Sequence, residues 1–216
     1  MFGLTDILIN VPIALIAIIG HELAHAWVSY KLGDPTPRYE GRLTLNPLAH
    51  LDLVGTLLMI FTGFGWANPV GVYPMYYKDR KKGMALVAFA GPLANFVMAF
   101  LGILIGAILL VLGEFLGWNG GFLITIMRIM QMFAIINLRL MFFNLIPIPP
   151  LDGSKILGMF LPNRIYYNVL QYERYAMILI MVLSLTGAFG RIIGTGVSVF
   201  YGAMMNMVVS IVSLIV

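Results

Sequence analysis

Residues 83–113, GMALVAFAGPLANFVMAFLGILIGAILLVLG, carry no charged side chain. A run longer than the ~20 apolar residues that cross a bilayer belongs in a membrane. Inside hydrocarbon every backbone N–H and C=O needs a partner within the protein, which leaves helices and closed barrels. Continuous apolar runs select helices. The expectation is an all-α polytopic membrane protein.

Composition agrees. Of 216 residues, 61% are hydrophobic and 10% charged, more apolar surface than a soluble domain of this length could hide. The thirteen basic and nine acidic residues leave a formal charge of +4, so no nucleic-acid footprint is present. The densest basic cluster, KDRKK at 78–82, reads as a cytoplasmic marker beside a membrane helix. The absence of cysteine excludes disulfides and thiolate metal sites.

Along the chain, 4–30 forms the first candidate helix. It lacks a basic leading region and its apolar character continues past two histidines, so it is read as a retained helix rather than a signal peptide. Residues 31–50 are polar and proline-broken, a loop with small strand elements. The run 51–64 is too short to span and is expected to be re-entrant or half-inserted. Residues 65–77 are irregular, again loop with small strand elements. Further runs lie at 83–113, 122–146, 175–189 and 192–216, with an amphipathic stretch at 154–174. The total is five to six membrane segments in one domain, 1–216. A core of about 4–160 is followed by C-terminal helices of about 163–216. No repeat or appended domain is visible.

The first run contains HELAH, residues 21–25. On a helix, positions four apart share a face, so His21 and His25 can reach one ion. Glu22, beside the first ligand, is placed to take a proton from a metal-bound water. Ionisable groups are costly inside a membrane and there mark function more often than accident.

Two histidines need a third protein ligand, and Glu40, Asp52, Asp152, Glu173 and His50 are available. Asp152 stands out by context. It closes NLIPIPPLDG, residues 144–153, whose prolines break the preceding helix, and broken backbone at membrane depth must line a cavity or pack in protein. The competing reading makes Asp152 a cap for the next helix. Asp52 suits a cap before 51–64, Glu40 sits in a charged loop, and His50 reads as a loop histidine.

If the ends of the 4–30 and 122–146 helices share an ion, the two must run parallel. Only 83–113 then crosses between them. Lys31, Arg38, Arg42, the 78–82 cluster, Lys155, Arg164 and Arg174 all fall on the metal side, which the positive-inside rule makes cytoplasmic.

These residues resemble the site-2 protease family of intramembrane zinc metalloproteases, in a compact form without PDZ or CBS domains. The likeness covers about 13–160. HELAH matches the family's H-E-x-x-H, NLIPIPPLDG its second signature and GPLAN, residues 91–95, its G-P-x-x-N pattern. LTLNPLAHLDLVGT and GWANPVGVYP also look like compact members. The resemblance implies one Zn²⁺ per chain held by His21, His25 and Asp152, with Glu22 as catalytic base. It further implies that Asn144 polarises the scissile carbonyl, and that a prokaryotic cell membrane is the setting. Gly71, where a proline is common, and Arg139 within the fourth run are departures.

The expected partners are a transmembrane-helix substrate and the bilayer, with no nucleic acid. A membrane helix hides its carbonyls in its own hydrogen bonds and must unwind before attack. Asn68, Pro69 and Val70 are candidates to hold the extended substrate by strand addition, and Asn95 is a further candidate contact. Two other classes compete: a metal transporter using the same three ligands, and a non-catalytic protein that keeps the fold. A transporter typically shows related halves, and a relic should have lost Glu22.

Overall fold

A computed structural model of the chain describes residues 4–62 and 65–213. The ends of the expected runs 51–64 and 192–216, at 63–64 and 214–216, lie outside the described residues.

Ten helices follow one another among the described residues: α1 (Leu4–Lys31), α2 (Thr36–Tyr39), α3 (Pro47–His50), α4 (Leu53–Thr62), α5 (Arg80–Phe115), α6 (Gly120–Asn144), α7 (Asp152–Gly158), α8 (Asn163–Gln171), α9 (Glu173–Leu185) and α10 (Ala188–Val212). Four of them, α1, α5, α6 and α10, are long and apolar enough to cross a membrane. The strand elements expected at 31–50 and 65–77 are not present among the described residues. Prolines start two short helices in the first region, and the second keeps one antiparallel bridge, Leu51 to Ala67.

Local chemistry sets the boundaries. Asp52 Oδ1 accepts the Gly55 N–H at 2.7 Å and starts α4, as its position before an apolar run leads one to expect. Asp79 accepts the Lys82 N–H and starts α5. After α5 the chain reverses at Gly117, whose φ of +67° suits glycine, while the Trp118 N–H returns to Gly113 O at 2.8 Å.

Small residues bring the long helices together, as is common where lipid offers no hydrophobic driving force between them. Gly102 lies against Phe133 and Gly106 against Met130, so this GxxxG pair packs α5 on α6 within the chain. Ala99, Ile103, Ala134 and Leu138 meet Val197, Met204 and Val208 of α10 in the main core.

Cross-helix bonds fix direction. Asn95 Nδ2 reaches Ala17 O while His25 Nδ1 reaches Val87 O, so α1 and α5 run antiparallel. The short turn between α5 and α6 makes that pair antiparallel too. Helices α1 and α6 are therefore parallel, with one crossing between them.

Candidate metal centre

The C-terminal half of α1 carries His21, Glu22 and His25. Both histidines face α5, where Gly91 leaves them room: a Cβ there would lie 2.5 Å from both Nε2 atoms. The turn of α5 preceding Pro92 supplies Val87 O, which accepts from His25 Nδ1–H at 2.7 Å. His21 Nδ1–H donates to Asn95 Oδ1 at 2.6 Å. Each imidazole thus spends its proton on an acceptor and turns Nε2 toward its neighbour.

Asp152 arrives from the other end of the sequence. Beyond α6 the prolines prevent helix, the chain turns back, and α7 begins at Asp152. Gly153 permits the turn, since a Cβ there would meet Leu145 O at 2.3 Å. Leu151 occupies the cap position, and Asp152 is the first helical residue with its carboxylate on the histidines. Its Oδ2 lies 3.1 Å from each Nε2, and the two Nε2 atoms are 3.0 Å apart. Lys155, one turn on, holds Oδ1 at 3.3 Å. All three side chains are buried.

This arrangement fits a zinc ion. Two lone pairs and a carboxylate oxygen facing one point repel each other unless a cation lies among them. Their separations approach the ~3.3 Å edge of a tetrahedron with ligands 2.0–2.1 Å from zinc. Two imidazoles and one carboxylate leave a fourth position open. That side opens to a cavity of about 410 Å³ lined by α1, α5, the proline segment, the 65–72 stretch and α9.

Glu22 borders the cavity, and its Oε2 accepts the Val70 N–H at 3.2 Å. Asn144 also lines the cavity, with its amide donating to Leu140 O at 3.0 Å. Pro69 and Val70 line it, whereas Asn68 is exposed outside it and uses its N–H on His50 O. Asn95, expected among the substrate contacts, is placed differently. It is fully buried beneath the histidines and donates to Ala17 O and to Asn137 Oδ1. His50 is buried away from the ligands and donates to Thr44 O; Glu40 pairs loosely with Arg42 at 3.8 Å.

Residues 67–73 form a strap across the cavity, pinned at both ends. At one end the Asn68 N–H bonds His50 O, and Arg42 donates to Ala49 O and Asn68 O. At the other, Asp34 accepts from the Tyr73 N–H at 2.8 Å, the Thr36 N–H at 3.0 Å and the Ser29 hydroxyl at 3.0 Å. Burial pushes the Asp34 carboxyl up, but these hydrogen bonds outweigh it and hold the group below the ordinary carboxylate range. Tyr77 donates to Ser29 Oγ at 2.7 Å, and burial raises its phenol above the usual value.

Asn137, Gly91 and Asp34 carry no mark in the sequence that assigns them these roles. Asn137 is detectable only as a polar residue two turns before Asn144, on the same face of an apolar helix. Gly91 opens the GPLAN pattern.

The sequence matches the model of peptidase family M50 over residues 122–187, a stretch that includes Asp152 but neither histidine. "Putative zinc metalloprotease YwhC" of Bacillus subtilis (strain 168) is 40% identical over 174 residues, 80% of this chain and 78% of that protein. "Putative zinc metalloprotease MJ0611" of Methanocaldococcus jannaschii is 33% identical over 154 residues, 67% of this chain and 69% of its own. "Putative zinc metalloprotease Rip2" of Mycolicibacterium smegmatis is 29% identical over 182 residues, 82% of this chain and 66% of its own length. No solved structure matches.

Proposed function

We propose, because this chain belongs to peptidase family M50, that it is an intramembrane zinc endopeptidase cutting peptide bonds within transmembrane segments of membrane-protein substrates. The observation that carries the reading is the meeting of His21 Nε2, His25 Nε2 and Asp152 Oδ2 at one point, beside Glu22, in a cavity between apolar helices. Convergence on a point, rather than a row of ligands along a path, favours hydrolysis over ion transport.

His21, His25 and Asp152 would hold the ion. Bound zinc supplies Lewis acidity and makes water a competent nucleophile near neutral pH. Glu22 accepts the proton of the attacking water and returns it to the leaving amine. Asn144, released from Leu140 O by a side-chain rotation, donates to the carbonyl oxygen as charge develops there. The strap supplies extended backbone for an unwound substrate segment, with Pro69 and Val70 nearest the scissile bond.

The active site faces the cytoplasm of a prokaryotic cell membrane in this reading, because the cations of 31–42, 78–82 and 155 surround the metal end. Helix α4, ~15 Å long, enters about half the ~30 Å hydrocarbon thickness, and with α9 it raises the membrane segments from four to six.

Purified wild type and Glu22→Gln, each assayed for zinc and for cleavage of a single-span substrate, test the proposal. The variant is expected to keep its zinc and lose cleavage by ~10²–10⁴-fold. Equal cleavage by both would remove Glu22 from the chemistry.

A further inference from the structure

The hydrogen bonds beneath His21 have a direction, and that direction starts at a main-chain carbonyl. Phe133 O can only accept, so the group of Asn137 facing it at 2.9 Å is the Nδ2 donor. Asn137 Oδ1 is thereby turned toward α5, where it accepts from Asn95 Nδ2 at 3.0 Å. A second carbonyl, Ala17 O, takes the other Asn95 proton at 3.2 Å. With both amide protons committed, Asn95 must present Oδ1 to His21. That oxygen only accepts, so His21 Nδ1 carries the proton and Nε2 the lone pair.

We infer that Asn137 and Asn95 are positioning residues that lock His21 in the tautomer whose Nε2 can bind a metal ion, a role that rests on the zinc reading above. Both side chains are fully buried among apolar helices. An amide left unpaired there is costly, so the relay holds one polarity rather than alternating between two. His25 needs no such relay, because Val87 O performs the same task directly. The difference follows from position. His21 lies one turn deeper along α1, where the side chain of Asn95 rather than a main-chain carbonyl of α5 supplies the acceptor. Partners of this kind typically change metal affinity by ~10–100-fold.

The test compares zinc content and the rate of zinc release to a chelator for wild type and four variants in detergent, with helicity followed by circular dichroism. Leucine matches asparagine in size and suits an apolar interior; aspartate keeps an oxygen acceptor but is costly to bury. The relay requires Asn95→Asp and Asn137→Asp to release zinc near the wild-type rate. It requires Asn95→Leu to release it ~10–100-fold faster, and Asn137→Leu to fall between, because Ala17 O still anchors Asn95. A packing role predicts the reverse order, with leucine tolerated and aspartate not. Wild-type release from both leucine variants, or zinc loss from the aspartate variants alone, would overturn the relay. Should the leucine variants not fold, the aspartate pair decides: slow release supports the relay and fast release ends it. A wild type that binds no zinc would instead sink the metal reading itself.

Discussion

The main-chain N–H of Val70 donates to Glu22 Oε2 at 3.2 Å, joining two residues 48 positions apart. The strap is thereby tied to the group that we assign as the base. A hydrogen bond to a charged group contributes about 1.5–3 kcal/mol, enough to fix which carboxylate oxygen faces the ion.

Val70→Pro removes that N–H while following a residue that is already proline. Cleavage should fall at least ~10-fold, with zinc content unchanged, since no ligand is touched. Metal analysis beside a cleavage assay checks both halves. Undiminished cleavage would mean that the strap does not orient Glu22.

Gly91→Ala places a methyl group against both imidazoles, at 2.5 Å from each Nε2. Helix α5 must retreat or the histidines must part. Zinc affinity should drop by more than ~10-fold, and thermal stability should fall by ~1–3 kcal/mol, the usual cost of overpacking. Gly190→Ala, where a Cβ meets nothing within 4 Å, is the control and should change neither.

Asp34 gives the chain a pH dependence of known sign. Its folded-state pKa lies below its ordinary value of about 3.9, so the stability that it contributes is complete above pH ~4. That contribution is lost as pH falls through the lower, folded-state value. Thermal unfolding at pH 7 should therefore show Asp34→Asn less stable by ~1–3 kcal/mol. The gap should close as the pH drops below 4. A gap that widens in acid would contradict the assignment.

Lys155→Met tests the outer face of Asp152. The ammonium lies 3.3 Å from Oδ1 on a partly exposed stem, so its loss should weaken zinc binding only several-fold. Asp152→Asn should weaken it far more, by ~100-fold or beyond, because a ligand charge is lost. Metal titration in competition with a chromophoric chelator ranks the two. Equal losses would place Lys155 nearer the ion than its geometry allows.

The long helices and the ligand set were legible in the sequence because each leaves a periodic or local mark. His21 and His25 show themselves by i, i+4 spacing, and Asp152 by three prolines within residues 147–150, a cluster that ends the preceding helix. The strap was legible only as irregular backbone. The short helices α2 and α3 look like strand or loop in one dimension, since four residues carry no period. Asn95 was visible as a residue but not as a partner of His21, because its role depends on the register of α5 against α1. That register is set by Gly20, Gly91 and the alanines between the helices, and small side chains leave no polarity pattern. Asp34 leaves no mark in the sequence, because its partner Tyr73 lies 39 residues away.

His21 precedes Asp152 by 131 residues. During synthesis α1 is made first, and the α5–α6 hairpin follows before the last donor atom emerges. On the function we propose, a half-made chain that stops before Asp152 lacks one of its three ligands and would have no means of cutting the proteins inserted beside it.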